Sequence, residues 1–145
     1  MITYIDASAL VKRYVAEEGS TEVGALIGQS TAVGTAIIGR AEVAAALAKA
    51  VRMKILARNE AASALQVFNS EWENLIRLQL TEILVSRAAA LAWEHGLCGY
   101  DATHLASALF WQDMLGETVT VATYDRHLWG ASKDAGLVVW PESLR

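Results

Sequence analysis

Five short strand-like runs, each separated from the next by enough chain for at least one helix, constrain this fold more than any other feature. The runs fall at 2–5, 31–33, 77–80, 118–123 and 137–140, and the β-branched Thr118-Val119-Thr120-Val121 is the clearest of them. Strands joined through a helix cannot form a hairpin, so neighbours in the sheet run parallel. Helical patterning is expected near 7–16, 20–29, 36–52, 59–76, 83–95, 102–115 and 126–135. Asn59 is a candidate N-cap, and Gly96, Gly116 and Gly136 suit left-handed positions after helices. The expected class is α/β, a three-layer α/β/α sandwich with a mainly parallel central sheet. One proline in 145 residues and no Gly/Ser linker predict a single domain over 1–145.

Composition narrows the setting. Hydrophobic residues make up 54% of the chain, many of them alanine, which favours close-packed helices or a buried subunit interface. No apolar run approaches the roughly 20 residues of a membrane span. The nearest candidate, 35–51, is interrupted by Arg40, Glu42 and Lys49. With no signal-peptide pattern at the start and one cysteine, Cys98, the expectation is a cytoplasmic protein that does not enter a membrane. The net charge of −4 is unevenly spread. Within 36–58, Arg40, Lys49, Arg52, Lys54 and Arg58 face Glu42 alone, a local balance of +4 that leaves −8 elsewhere. An acidic body with one basic helix suits an enzyme acting on nucleic acid better than a passive coat for it.

Four acids stand out by position. Asp6 ends the first strand-like run, Asp125 follows the fourth, Asp101 lies where a helix is expected to begin, and Glu42 sits among alanines inside a helix. Parallel sheets bind ligands beyond the C-terminal ends of their strands, where these acids could meet. Helix capping alone accounts for Asp6, Asp101 or Asp125 taken singly, and an ordinary exposed role accounts for Glu42. Converging carboxylates would repel one another, and a divalent cation relieves that repulsion. Oxygen-only ligation, without paired Cys or His, favours Mg²⁺ or Mn²⁺, and the matching chemistry is hydrolytic phosphoryl transfer.

Four segments in this order resemble the PIN domain, and more narrowly the small VapC-type ribonuclease toxins of prokaryotic toxin–antitoxin pairs. They are Tyr4-Ile5-Asp6-Ala7-Ser8, Arg40-Ala41-Glu42-Val43, Tyr100-Asp101-Ala102-Thr103-His104-Leu105-Ala106 and Ala122-Thr123-Tyr124-Asp125-Arg126. The resemblance implies a Mg²⁺- or Mn²⁺-dependent endoribonuclease that leaves 5′-phosphate and 3′-hydroxyl ends. It also implies a homodimer and inhibition by a cognate antitoxin. Residue by residue, Asp6 and Asp101 become direct metal ligands, Glu42 a further ligand or a holder of water, and Asp125 the completion of the cluster. Ser8 and Thr123 match positions that support the site by hydrogen bonding. Arg40, Lys49 and Arg52 are candidate contacts to the RNA backbone.

Other readings compete. A phosphoaspartyl phosphatase or receiver-like domain would use Asp6 as nucleophile, but the phosphatase pattern wants an acid two residues on, where Ser8 stands. A non-catalytic binding module would not need all four acids. Zinc at His95, Cys98 and His104 lacks a fourth ligand. His104, three residues after Asp101, is expected to be a satisfied structural histidine or to orient that carboxylate. Trp93 and Trp111 are expected to pack in a core or an interface.

Overall fold

The computed structural model describes all residues, 1–145. Five strands form one sheet: β1 (Ile2–Ile5), β2 (Ala32–Ala36), β3 (Ile76–Leu78), β4 (Val119–Ala122) and β5 (Val138–Trp140). Their order is β3-β2-β1-β4-β5, and every neighbouring pair is parallel. Seven helices complete the chain: α1 (Ala7–Leu10), α2 (Ser20–Gln29), α3 (Gly39–Arg52), α4 (Arg58–Glu71), α5 (Glu82–His95), α6 (Gly99–Leu115) and α7 (Arg126–Asp134). The chain moves outward from β1 through β2 to β3, then returns to the other side of β1 to lay down β4 and β5. The strand order therefore reverses between β1 and β4.

Period-two alternation sorts the sheet's side chains into two cores. Ile5 and Ala122 face Leu10, Val23, Val43, Leu47, Phe68 and Trp72 of α1–α4 and the turn after them. Tyr4, Val119 and Val121 face Leu105, Ala108, Trp111 and Leu128 of α6 and α7. Burying a ring such as Phe68, which is fully covered, stabilises the fold by about 1.5–3 kcal/mol. Glycine at position 34 lets α6 lie close to the sheet. A Cβ there would stand 2.8 Å from two ring carbons of Trp111.

Several boundaries differ from the sequence expectation. Ala36 belongs to β2, and α3 begins only at Gly39. α4 starts at Arg58 with Ala57 before it, and the Ala57 N–H donates to Glu60 Oε1 at 3.1 Å, so Asn59 is not the cap. The expected fourth helix over 59–76 stops at Glu71, followed by a 3₁₀ turn at Trp72–Asn74, and residue 76 starts β3. The first helix is likewise short, α1 giving way to a 3₁₀ turn at Val11–Arg13. Thr81, whose hydroxyl accepts from the Leu84 N–H at 3.2 Å, begins α5. Gly96, Gly116 and Gly136 do take left-handed angles. Trp111 is buried, but Trp93 is 92% exposed and belongs to no core.

Candidate active site

A parallel sheet leaves its ligand crevice where the strand order reverses, outside the C-terminal ends of the strands on either side. Here those strands are β1 and β4, and the residues just beyond them are Asp6 and the Thr123-Tyr124-Asp125 turn. The Asp6 N–H continues the ladder to the Ala122 carbonyl at 3.2 Å, which anchors its backbone at the edge.

Asp6 is buried and held by three donors. Ser8 Oγ donates to Oδ1 at 2.7 Å, the Ala9 N–H to Oδ1 at 3.1 Å, and Thr123 Oγ1 to Oδ2 at 2.7 Å. It thus caps α1, as a local reading of the sequence expects, and retains one unused lone pair on Oδ2. Both hydroxyls also tie β1 to β4: the Tyr124 N–H donates to Ser8 Oγ at 2.9 Å, and the Asp125 N–H to Thr123 Oγ1 at 3.0 Å. Asp125 caps α7 by accepting from the Leu128 N–H at 3.0 Å. Asp101 does not cap its helix. α6 begins at Gly99 after Cys98, which leaves Asp101 in the first turn, where the helix dipole favours a negative charge.

Glu42 occupies the first turn of α3, on the opposite side of the sheet from α6. It is brought to the others by His104, whose Nε2 lies 2.5 Å from Glu42 Oε1. The second ring nitrogen, Nδ1, is 2.6 Å from the Tyr4 hydroxyl, which also accepts from the Ala36 N–H at 3.2 Å. His104 is therefore a satisfied buried histidine, but its carboxylate partner is Glu42 and not the expected Asp101. Tyr4 was not singled out by the sequence. The signal was there, since a tyrosine buried in a central strand must find a partner for its hydroxyl.

Electrostatics show the acids sharing one field. Burial pushes the Asp6 carboxyl above the usual range, against the pull of His104, Thr123, Ser8 and the Ala9 N–H. Asp101 is also raised, first by desolvation and then by the charge of Asp125, with Glu42 adding a smaller push. Desolvation would lower the His104 pKa, but the hydrogen bond and charge of Glu42, helped by Asp6 and Asp101, leave it raised.

No three His, Cys, Asp or Glu side chains are disposed to hold one ion together as they stand, and this also holds for the zinc set of His95, Cys98 and His104. The donor chemistry nonetheless suits a hard divalent cation. Carboxylates reach the site from four elements, two of them carry pKa values raised chiefly by burial, and a cation would offset that burial together with the repulsion from Asp125 that adds to it at Asp101. Of the basic candidates, exposed Arg40 stands in the first turn of α3, its guanidinium 5.9 Å from the Trp72 ring centre. Exposed Lys49 and Arg52 lie in the last turn, roughly 13 Å and 18 Å along the axis from Arg40.

Comparisons with known proteins converge on one family. The PIN domain profile matches residues 3–130. Ribonuclease VapC45 of Mycobacterium tuberculosis is 37% identical over 143 residues, covering 99% of this chain and 97% of its own. Among solved structures, a toxin–antitoxin complex from Klebsiella pneumoniae superposes with a TM-score of 0.67 at 16% identity, covering 99% of both chains. Mycobacterium tuberculosis VapC20, a sarcin–ricin loop cleaving toxin, gives 0.66 at 16% identity over the same shares.

Proposed function

Because the chain belongs to the PIN-domain family, within its VapC group, we propose that it is a divalent-metal-dependent endoribonuclease and the toxin of a toxin–antitoxin pair. The observation that supports this best is the shared field of acids from four elements at the switch point of the sheet. Asp101 feels Asp125 and Glu42, while His104 feels Glu42, Asp6 and Asp101. A passive scaffold does not need that convergence, and a phosphoaspartyl phosphatase would want an acid where Ser8 stands.

Asp6 and Asp101 would hold Mg²⁺ or Mn²⁺, with Glu42 and Asp125 completing the cluster. Such an ion, when bound, supplies Lewis-acid stabilisation of the charge on the phosphodiester. The chain's own residues do the placing. Ser8, Thr123 and the Ala9 N–H fix both oxygens of Asp6, so its free lone pair points in one direction. Glu42, with Oε1 engaged by His104, keeps Oε2 to orient water or take its proton. Arg40 is the cation nearest the start of α3 and would steer the RNA backbone, while Lys49 and Arg52 would guide RNA farther from the cut.

A cognate antitoxin and a homodimer are further parts of this reading. The dimer is supported by the exposure of Ile83, Val85 and Trp93 on α5 and of Phe110 and Met114 on α6, an unusual apolar load for a lone subunit. No helix is long and apolar enough to cross a membrane, and a cytoplasmic location fits an RNA substrate.

The deciding experiment expresses wild type and Asp6→Asn from an inducible promoter and maps new RNA 5′ ends. Growth arrest and discrete cuts are expected from wild type alone. Equal cutting by Asp6→Asn would overturn the reading.

A further inference from the structure

Glu42 belongs to α3, yet the group that holds its carboxylate belongs to α6, and the group behind that belongs to β1. Backbone N–H of Ala36, Tyr4 Oη, the His104 ring and Glu42 Oε1 form one hydrogen-bonded line, with links of 3.2, 2.6 and 2.5 Å. Its hydrogens can be assigned. An ionised carboxylate only accepts, so Nε2 carries the hydrogen facing Glu42 whether the ring is neutral or cationic. Tyr4 Oη accepts from Ala36, which leaves its own hydrogen for Nδ1 of the neutral ring. Tyr4 and His104 are both buried, and their rings meet edge to face at 5.8 Å, so the imidazole is locked in its plane. Glu42, in contrast, is partly exposed at the start of a helix, with flexible torsions and like charges nearby.

We propose that His104 is a positioning residue for Glu42, and that Tyr4 and His104 act together as a strut from the central strand to this acid. The role rests on reading the acids as the ribonuclease centre. Without the strut, Glu42 would spread over rotamers that turn it away from Asp101. A group that fixes a site carboxylate in this way is commonly worth about tenfold to a hundredfold in activity or metal affinity.

Substitutions at His104, Glu42 and Tyr4 test it. The amide nitrogen of Gln reaches about as far as Nε2, while that of Asn reaches only as far as Nδ1. His104→Asn should lower kcat about tenfold to a hundredfold with KM for RNA little changed, and weaken Mn²⁺ binding in calorimetry by a similar factor. His104→Gln should recover most of both losses, and His104→Asn should add nothing in a Glu42→Gln background. Wild-type behaviour of His104→Asn, no recovery with Gln, or additivity with Glu42→Gln would overturn the proposal. Should His104→Asn fail to fold by circular dichroism, Tyr4→Phe takes its place, with the same losses expected and wild-type behaviour overturning the strut. Wild type that neither cuts RNA nor binds Mn²⁺ would defeat the ribonuclease reading instead. In that event the His104 Nε2–H resonance still decides on the strut: protection from exchange in wild type, lost in Glu42→Ala, supports it, and free exchange in both overturns it.

Discussion

Thr123 Oγ1 donates to Asp6 Oδ2 at 2.7 Å across 117 positions of sequence, and through this bond the end of β4 aims a carboxylate at the end of β1. The same oxygen accepts the Asp125 N–H, so one buried hydroxyl serves two of the four acids. Thr123→Val keeps the shape and removes both links. It should cost about 1–3 kcal/mol in urea unfolding and reduce cleavage at least tenfold, while Thr123→Ser keeps most of both. Equal stability of the Val and Ser variants would show that the hydroxyl is idle.

Asp6→Asn should abolish cleavage without costing stability in metal-free protein. The folded-state pKa of Asp6 is raised by burial, so its ionised form opposes folding. Its contribution to stability is fully present below the unfolded value of about 3.9 and is lost as pH rises through the folded value. At neutral pH the variant should therefore melt at or above wild type. A clear drop in Tm would mean that the hydrogen bonds of Asp6 outweigh its buried charge.

Added Mn²⁺ should raise Tm at neutral pH, and EDTA should reverse the rise. Linkage gives about 2.7 kcal/mol at a hundredfold excess over Kd, and a chain of this size gains about 2–4 °C per kcal/mol. The shift should fade as pH falls through the raised values of Asp6 and Asp101, because a protonated carboxyl no longer holds the ion. A pH-independent shift would place the ion elsewhere.

In metal-free protein the His104 ring should titrate above 6.5. Burial pulls its pKa down, but Glu42, Asp6 and Asp101 pull it up further. The protonated ring stabilises the fold fully below its unfolded pKa of about 6.5, and this support is lost as pH rises through the folded value. Ring NMR signals followed with pH measure it directly. Glu42→Gln should bring the midpoint down, because burial then faces less opposition, and an unchanged midpoint would refute the pairing.

Much of the frame was legible in the chain. Strand-like runs spaced by helices pointed to a mainly parallel sheet, because a helical crossover carries the chain back to the end from which a parallel strand starts. Asp6 and Asp125 could be read as caps and as site residues at once, since capping depends on contacts three positions away. Boundaries were less legible. Ala36 favours a helix by propensity but pairs with Leu78 of β3, and sheet pairing prevailed.

What the sequence determined by itself was order: which segments extend or coil, and which acids stand at their ends, because local hydrogen bonding and hydrophobic period set both. Only the tertiary structure decided that β1 and β4 adjoin, that Thr123 serves Asp6, that His104 turns to Glu42 and that Trp93 stays outside every core. Those outcomes depend on contacts between residues far apart in sequence, whose geometry is set by strand order and by the close approach of α6 over Gly34. Neither leaves a periodic trace along the chain.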